Sequence, residues 1–232
     1  MRKSVIIGND AQAVNFREIR MGNIAPNTLY RSSHPIKDLK QEKTISLLAS
    51  SARIAAVLNL SDTMPEIRSK AIFAPWYDRI LKNGRVIALG MTFTNNSVSF
   101  GKKLKKGLQF INSTGGPWLI HCHAGIDRTG FVAIVLEALM GAPLDAIVDD
   151  YLQSFNSGYE SSIHDKTHQS DSMIVMQILS IMGNTQNITG ENVQQIAETY
   201  LHNTIGLSAG EVELLKMKLA GAGVIVTPCA PV

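Results

Sequence analysis

Cys122 and Arg128 stand six positions apart, across the short loop His123-Ala124-Gly125-Ile126-Asp127. An apolar run, Trp118-Leu119-Ile120, leads in through His121. A second, Phe131 to Leu136, leads out behind Thr129-Gly130. That order predicts a strand, a tight turn and a helix start. A helix start carries unpaired N–H groups and a partial positive charge, so it attracts anions. Successive N–H groups turned inward form an anion nest, and Gly125 permits the backbone angles such a curve needs. His123, Ala124, Gly125, Ile126, Asp127 and Arg128 are the residues expected around a bound phosphate. Arg128 offers a planar, two-pronged clamp on phosphate oxygens. The same field favours the thiolate form of Cys122. A thiolate facing a phosphate monoester is set for in-line attack and a phospho-cysteine intermediate.

The rest of the chemistry is less determined. A leaving alkoxide or phenolate needs a proton, usually from a carboxylic acid. Asp127 inside the loop, Asp78 in Trp76-Tyr77-Asp78-Arg79, and Asp62 are the candidates. Thr129 has two readings: a hydroxyl donor to the Cys122 sulfur, or an ordinary first-turn helix residue. Arg17 also has two, contact with the substrate anion or a structural ion pair. His121-Cys122-His123 invites a metal reading. The next histidine is His164, outside usual zinc spacing, so no metal is expected.

The loop needs elements to hold it. Apolar or β-branched runs at Thr28–Arg31, Ile54–Leu60, Val86–Met91 and Trp118–His121 read as buried strands. Leu39 to Ala49 reads as a helix. Phe100, Leu104, Leu108 and Ile111 share one apolar helix face, with Lys102, Lys103, Lys105 and Lys106 as its solvated side. Thr129–Met140 predicts a buried helix. Gly141-Ala142-Pro143 breaks it, and Pro143 opens the next helix, to about Ser154. Asn156 to Gln169 reads as loop, Asp171–Met182 as helix, and Gly183 to Gly190 as linker. Glu191–His202 and Ser208–Ala220 close the chain as a helix pair, with Ser208 and Glu211 spaced as a capping box. Strands alternating with helices, then helices alone, predict an α/β fold: a central, mainly parallel sheet flanked by helices, with a C-terminal helical elaboration at about 171–222.

The string Cys122-His123-Ala124-Gly125-Ile126-Asp127-Arg128-Thr129-Gly130 resembles the His-Cys-x5-Arg-Thr/Ser loop of cysteine-dependent phosphatases. It is most similar to the bacterial tyrosine/serine protein phosphatases, which read Cys-x-Ala-Gly-Lys-Asp-Arg-Thr-Gly. Asn15-Phe16-Arg17 with Leu29-Tyr30-Arg31-Ser32-Ser33 resembles that family's N-terminal signature. Asp150-Tyr151-Leu152-Gln153-Ser154 resembles a recurrent later stretch, and Tyr200 to Leu219 its C-terminal helix pair. The resemblance implies Cys122 as nucleophile, Arg128 as clamp and His121 as the residue that orients the loop. It implies Asp127 as general acid, ahead of Asp78 and Asp62. Many relatives carry an acid on a loop after the strand matching Val86–Met91, but Thr92 to Ser97 contains none. The implied activity is hydrolysis of phosphotyrosine proteins, with phosphoserine and phosphothreonine as further substrates and no cofactor. Ile126 replaces the family's lysine, which argues against highly anionic phosphoinositides. A phosphoinositide phosphatase and a non-catalytic phosphate-binding module are the alternatives.

Composition fits this reading. The 232 residues suit one domain, 1–232, built around a catalytic loop at 121–130. Net charge is +3, which suits an anionic substrate and does not argue for nucleic acid. The expected partner is a phosphorylated protein or another phosphate monoester. No apolar run approaches the roughly 20 residues of a membrane span, so stable membrane association is not expected. Only two cysteines occur, Cys122 and Cys229, so no disulfide scaffold is expected. The opening Met1 to Gly8 is too short in apolar residues for a signal peptide, and a reactive thiolate prefers reducing surroundings. Both point to the cytoplasm.

Overall fold

The structure, a computed structural model, describes residues 10–92, 98–156 and 168–222. Cys229, the Met1–Gly8 start, most of the acid-free stretch at 92–97 and most of the expected loop at 156–169 lie outside them.

The apolar run before the loop becomes β5 (Trp118–His121), with all four residues buried. Its side chains alternate between two cores. Leu119 joins Val57, Ile45, Ile67 and Tyr77 on one face, while Trp118 and Ile120 join Leu58, Leu104 and Phe131 on the other. A strand covered on both faces needs no polar alternation, which is why its sequence is continuously apolar.

β1 (Arg17–Ile19), β2 (Leu29–Ser32), β3 (Ala56–Asn59) and β4 (Val86–Ala88) complete a sheet in the order β1-β2-β5-β3-β4. β1 runs antiparallel to β2, and the other pairings are parallel. On one face lie α1 (Leu39–Ser51), α2 (Met64–Ala71) and α3 (Pro75–Lys82). On the other lie α4 (Val98–Ser113) and α5 (Asp127–Leu139). α6 (Leu144–Gln153), α7 (His168–Gly183) and α8 (Val193–Thr199) pack behind α5, and α9 (Ala209–Leu219) packs on α4, together forming the helical elaboration. No helix among the described residues is long and apolar enough to cross a membrane.

Every expected strand is present: Trp118–His121 with its expected bounds, Thr28–Arg31 shifted by one residue to Leu29–Ser32, and the other two shortened. Three elements were not expected. β1 is a three-residue edge strand with two charged residues, defined by pairing with β2 rather than by its own pattern. α2 and α3 each begin with a proline in the first turn, and Thr63 N donates to Glu66 Oε2 at 2.7 Å in a capping box before α2. One expectation is corrected: Glu191–His202 is not one regular helix. α8 ends at Thr199 and passes into a wider π turn over Tyr200–Thr204.

The lysines of α4 are only partly a solvated face. Lys103 Nζ donates to Gly90 O and Lys105 Nζ to Gly206 O, each at 2.5 Å.

Candidate active site

The site is built where four parallel strands end. β5 lies between β2 and β3, and its last residue, His121, is in register with Ser32 and Asn59. β5 runs parallel to both neighbours, so the carboxyl ends of all three open at one edge of the sheet, the edge where α/β sheets bind ligands. Cys122 follows at once, 1% exposed, at the floor of the turn into α5.

The turn is held from both sides of Gly125. Its N–H donates to Cys122 Sγ at 3.3 Å. Its carbonyl accepts Arg31 Nη2 at 2.9 Å and Asn15 Nδ2 at 3.0 Å. Its φ is 78°, and a Cβ there would collide with the backbone oxygen of Ser32. Only glycine satisfies both demands.

Arg31 and Asn15 belong to a buried scaffold behind the loop. Arg31 pairs with Asp150. Arg17 Nε meets Asp150 Oδ1 at 2.9 Å, and Arg17 Nη2 donates to Asp150 O at 2.6 Å and Ser154 Oγ at 3.0 Å. Arg17 also donates to Asn15 Oδ1. The structural reading of Arg17 therefore holds: its guanidinium faces Asp150 and not the loop mouth. Burial, then the nearby Arg31, lowers its pKa to about 10, so it stays cationic. Burial pushes Asp150 up, but Arg31 and Arg17 more than offset that and hold it below the usual carboxylate range. Glu137 completes the group. Burial and then Asp150 push its carboxyl well above the usual range, and neither oxygen has a hydrogen-bond partner among the described residues.

A second network grips the other side. His121 Nδ1 lies 3.3 Å from Cys122 O, and His121 Nε2 lies 3.2 Å from Tyr77 OH. A carbonyl only accepts, so Nδ1 carries the proton and Nε2 accepts from Tyr77. Burial, then His34, keeps this ring neutral by holding its pKa well below normal. His34 N donates to His123 O at 3.1 Å, and His34 Nε2 meets Asp62 Oδ2 at 2.6 Å. Asp62 also accepts from Asn59 Nδ2 at 2.8 Å and Lys70 Nζ at 2.6 Å. Burial raises Asp62, but hydrogen bonds from His34, Lys70 and Asn59 hold it far below the carboxylate range.

The structure sorts the remaining residues plainly. Arg128 is half-buried on the first turn of α5, with Nη1 donating to Met91 O at 2.9 Å. Asp127 is exposed at the first position of α5 and has no hydrogen bond or ion pair among the described residues. Asp78 sits on α3, paired with Lys82 at 2.6 Å. Thr129 is fully buried and its Oγ1 has no partner among the described residues, so the bond to Cys122 Sγ is not formed here. His123 is exposed at the rim, and its pKa is lowered by partial burial, then by Lys37, His34 and Arg128. Ala124 and Ile126 are buried in the loop. No cluster of three or more potential metal ligands occurs among the described residues. A cavity of about 820 Å³ lies elsewhere, between α6, α7 and α8, and holds none of these groups.

Sequence reasoning missed His34, Asn59 and Tyr77. The available signal was positional. His34 and Asn59 are polar residues at or just beyond the carboxyl ends of strands read as buried, and that edge is where the site lies.

With this geometry, the chain matches the Tyrosine phosphatase family over residues 11–221. It belongs to that family. A shorter stretch is similar to the triple specificity protein phosphatase PtpB of Mycobacterium tuberculosis, 59% identical over 46 residues. That stretch is 19% of this chain and 16% of the relative's length, so well under two thirds of the relative is matched. Among solved structures, the core catalytic domain of the PP-IP phosphatase SIW14 from S. cerevisiae, in complex with citrate, is 21% identical. It covers 69% of this chain and 83% of its own, with a TM-score of 0.43. A Siw14 catalytic core structure is 19% identical over 80% of this chain and 91% of its own, also at a TM-score of 0.43.

Proposed function

We propose that this tyrosine phosphatase family member hydrolyses phosphate monoesters on phosphotyrosine proteins, with phosphoserine and phosphothreonine as further substrates. The observation that carries the reading is Cys122 Sγ under the Gly125 N–H at the mouth of α5, with Arg128 one turn away on the same helix start.

The phosphate enters the nest with three oxygens toward the loop amides and the Arg128 guanidinium. Cys122 Sγ attacks phosphorus in line and the ester oxygen leaves. Asp127, exposed at the rim, gives that oxygen its proton. Asp127 then takes a proton from water, which attacks phosphorus and expels the thiolate. Positioning and fixed charge supply most of the rate, as in other phosphoryl transfers. Thr129, whose buried hydroxyl has no partner among the described residues, assists thiolate departure in this reading.

The test is hydrolysis of p-nitrophenyl phosphate from pH 4 to 8, for wild type, Cys122→Ser and Asp127→Asn. The expected result is no turnover in Cys122→Ser, and loss of both rate and the basic limb of the profile in Asp127→Asn. Full activity in Cys122→Ser would sink the reading. An inactive wild type that still binds phosphopeptide would favour the binding module. Ile126 is apolar and buried where a lysine would bring charge, so a phosphotyrosine peptide is expected to outrun a phosphoinositide side by side.

A further inference from the structure

The two donors on the Gly125 carbonyl have a consequence for the phosphate nest. A trans peptide unit is planar, with its C=O and N–H pointing opposite ways. The Gly125 carbonyl shares its unit with the Ile126 N–H. Arg31 Nη2 and Asn15 Nδ2 draw that carbonyl back into the protein, at 2.9 and 3.0 Å. The Ile126 N–H is thereby turned the other way, away from Arg31 and Asn15. It makes no hydrogen bond to any described residue, although Ile126 is only 1% exposed. An unpaired N–H in such a position is costly unless a ligand takes it. Both donors are buried, Arg31 fully and Asn15 at 4% exposure, and each is fixed in turn: Arg31 by Asp150, and Asn15 by Arg17.

We infer that Asn15 and Arg31 are positioning residues of the phosphate site. They never touch the substrate. They hold the Gly125–Ile126 peptide in the one orientation that offers its N–H to a phosphate oxygen. The inference rests on the reading that this loop holds phosphate. Without the two donors, the peptide is free to flip, and the carbonyl would then face the anion and repel it.

Asn15 is the residue to vary, because its φ of 52° is tolerated by aspartate and glycine. Asn15→Asp keeps the shape and the partner Arg17, but sets an acceptor against the Gly125 carbonyl. Asn15→Gly removes the side chain. Three quantities are read for each: the dissociation constant of inorganic phosphate by calorimetry, kcat and KM on p-nitrophenyl phosphate, and the melting temperature without ligand. Phosphate binding about tenfold weaker is expected in both variants, the scale of one charge-assisted hydrogen bond. kcat/KM falls by at least as much, and the melting temperature stays within a few degrees of wild type. The inference is overturned if both variants bind phosphate as wild type does. It is also overturned if the weakening vanishes well below the melting temperature, since that is loss of folded protein and not of loop geometry. A wild type that binds phosphate but hydrolyses nothing removes the proposed function and leaves this inference to the binding constants. A wild type that binds no phosphate removes both.

Discussion

Three aspartates compete for one role, and their surroundings separate them. A general acid must hold a proton at working pH and be free to give it away. Asp62 meets neither condition. Its carboxylate takes hydrogen bonds from His34, Lys70 and Asn59, which hold it ionised far below neutrality. Asp78 is tied to Lys82 on α3. Asp127 is exposed beside Arg128 with no partner among the described residues. Asp127→Asn is therefore expected to lower kcat by roughly 10²–10⁴-fold, the usual range for lost acid–base catalysis. Asp78→Asn should stay within about twofold of wild type on the same assay, as surface changes away from a site usually do. A second residue-scale prediction follows from His121. Its folded pKa is depressed by burial, so below about 6.5 the unfolded chain binds a proton that the folded ring refuses. Stability is present above that value and is lost as pH falls through it. Melting curves at pH 7.5 and 5.5 should show a drop in wild type, and a smaller one in His121→Asn, whose amide can still reach Cys122 O.

At the scale of elements, what the sequence revealed depended on where each signal is stored. The strand and helix around Cys122 were legible because β5 is buried along its whole length and α5 is buried from Thr129 onward, with an unbroken apolar run from Phe131 to Leu136. α9 was legible because its capping box, Ser208 with Glu211, is a local device, and Glu211 N does donate to Ser208 Oγ at 3.3 Å. The box at Thr63 and Glu66 was equally local, yet α2 behind it is a helix of eight residues that buries only Ile67 and Ala71, so periodicity gave no prompt. β1 could not have been read this way, since its three residues become a strand only by pairing Arg17 with Arg31 across the sheet edge. The catalytic loop was legible from spacing. The scaffold behind it is visible in the sequence as short motifs but not as geometry, because contacts such as Arg17 to Asp150 join residues more than a hundred positions apart. α5 and α6 also pack closely for a reason no periodicity records. A Cβ on Gly130 would stand 2.7 Å from the Tyr151 ring. Gly130→Ala is expected to cost about 1–3 kcal/mol, read from a urea midpoint, because helix propensity favours alanine but overpacking dominates.

Across the whole molecule, the buried ionic group under the loop joins β1, β2, α5 and α6 into one body. Arg17 and Arg31 face the carboxylate of Asp150, while burial and Asp150 favour the protonated form of Glu137. The balance is one net positive charge beneath a loop whose task is to bind an anion. Ionising Glu137 would cancel it. The linkage runs opposite to that of His121. Glu137 is raised in the folded state, so above about pH 4.5 the folded protein keeps a proton that the unfolded chain releases. That group favours folding least at high pH: its penalty is absent in acid and grows as pH climbs toward the raised value. Glu137→Gln copies the protonated carboxyl and has nothing to ionise. Its stability should equal that of wild type near pH 4 and exceed it at pH 7.5, by up to about 1.4 kcal/mol for each pH unit inside the window. Urea denaturation at the two values measures the difference directly. The His121 effect is common to both proteins and cancels. A variant no more stable than wild type at pH 7.5 would mean that Glu137 is ionised in the fold, and the group under the loop would then be neutral rather than cationic.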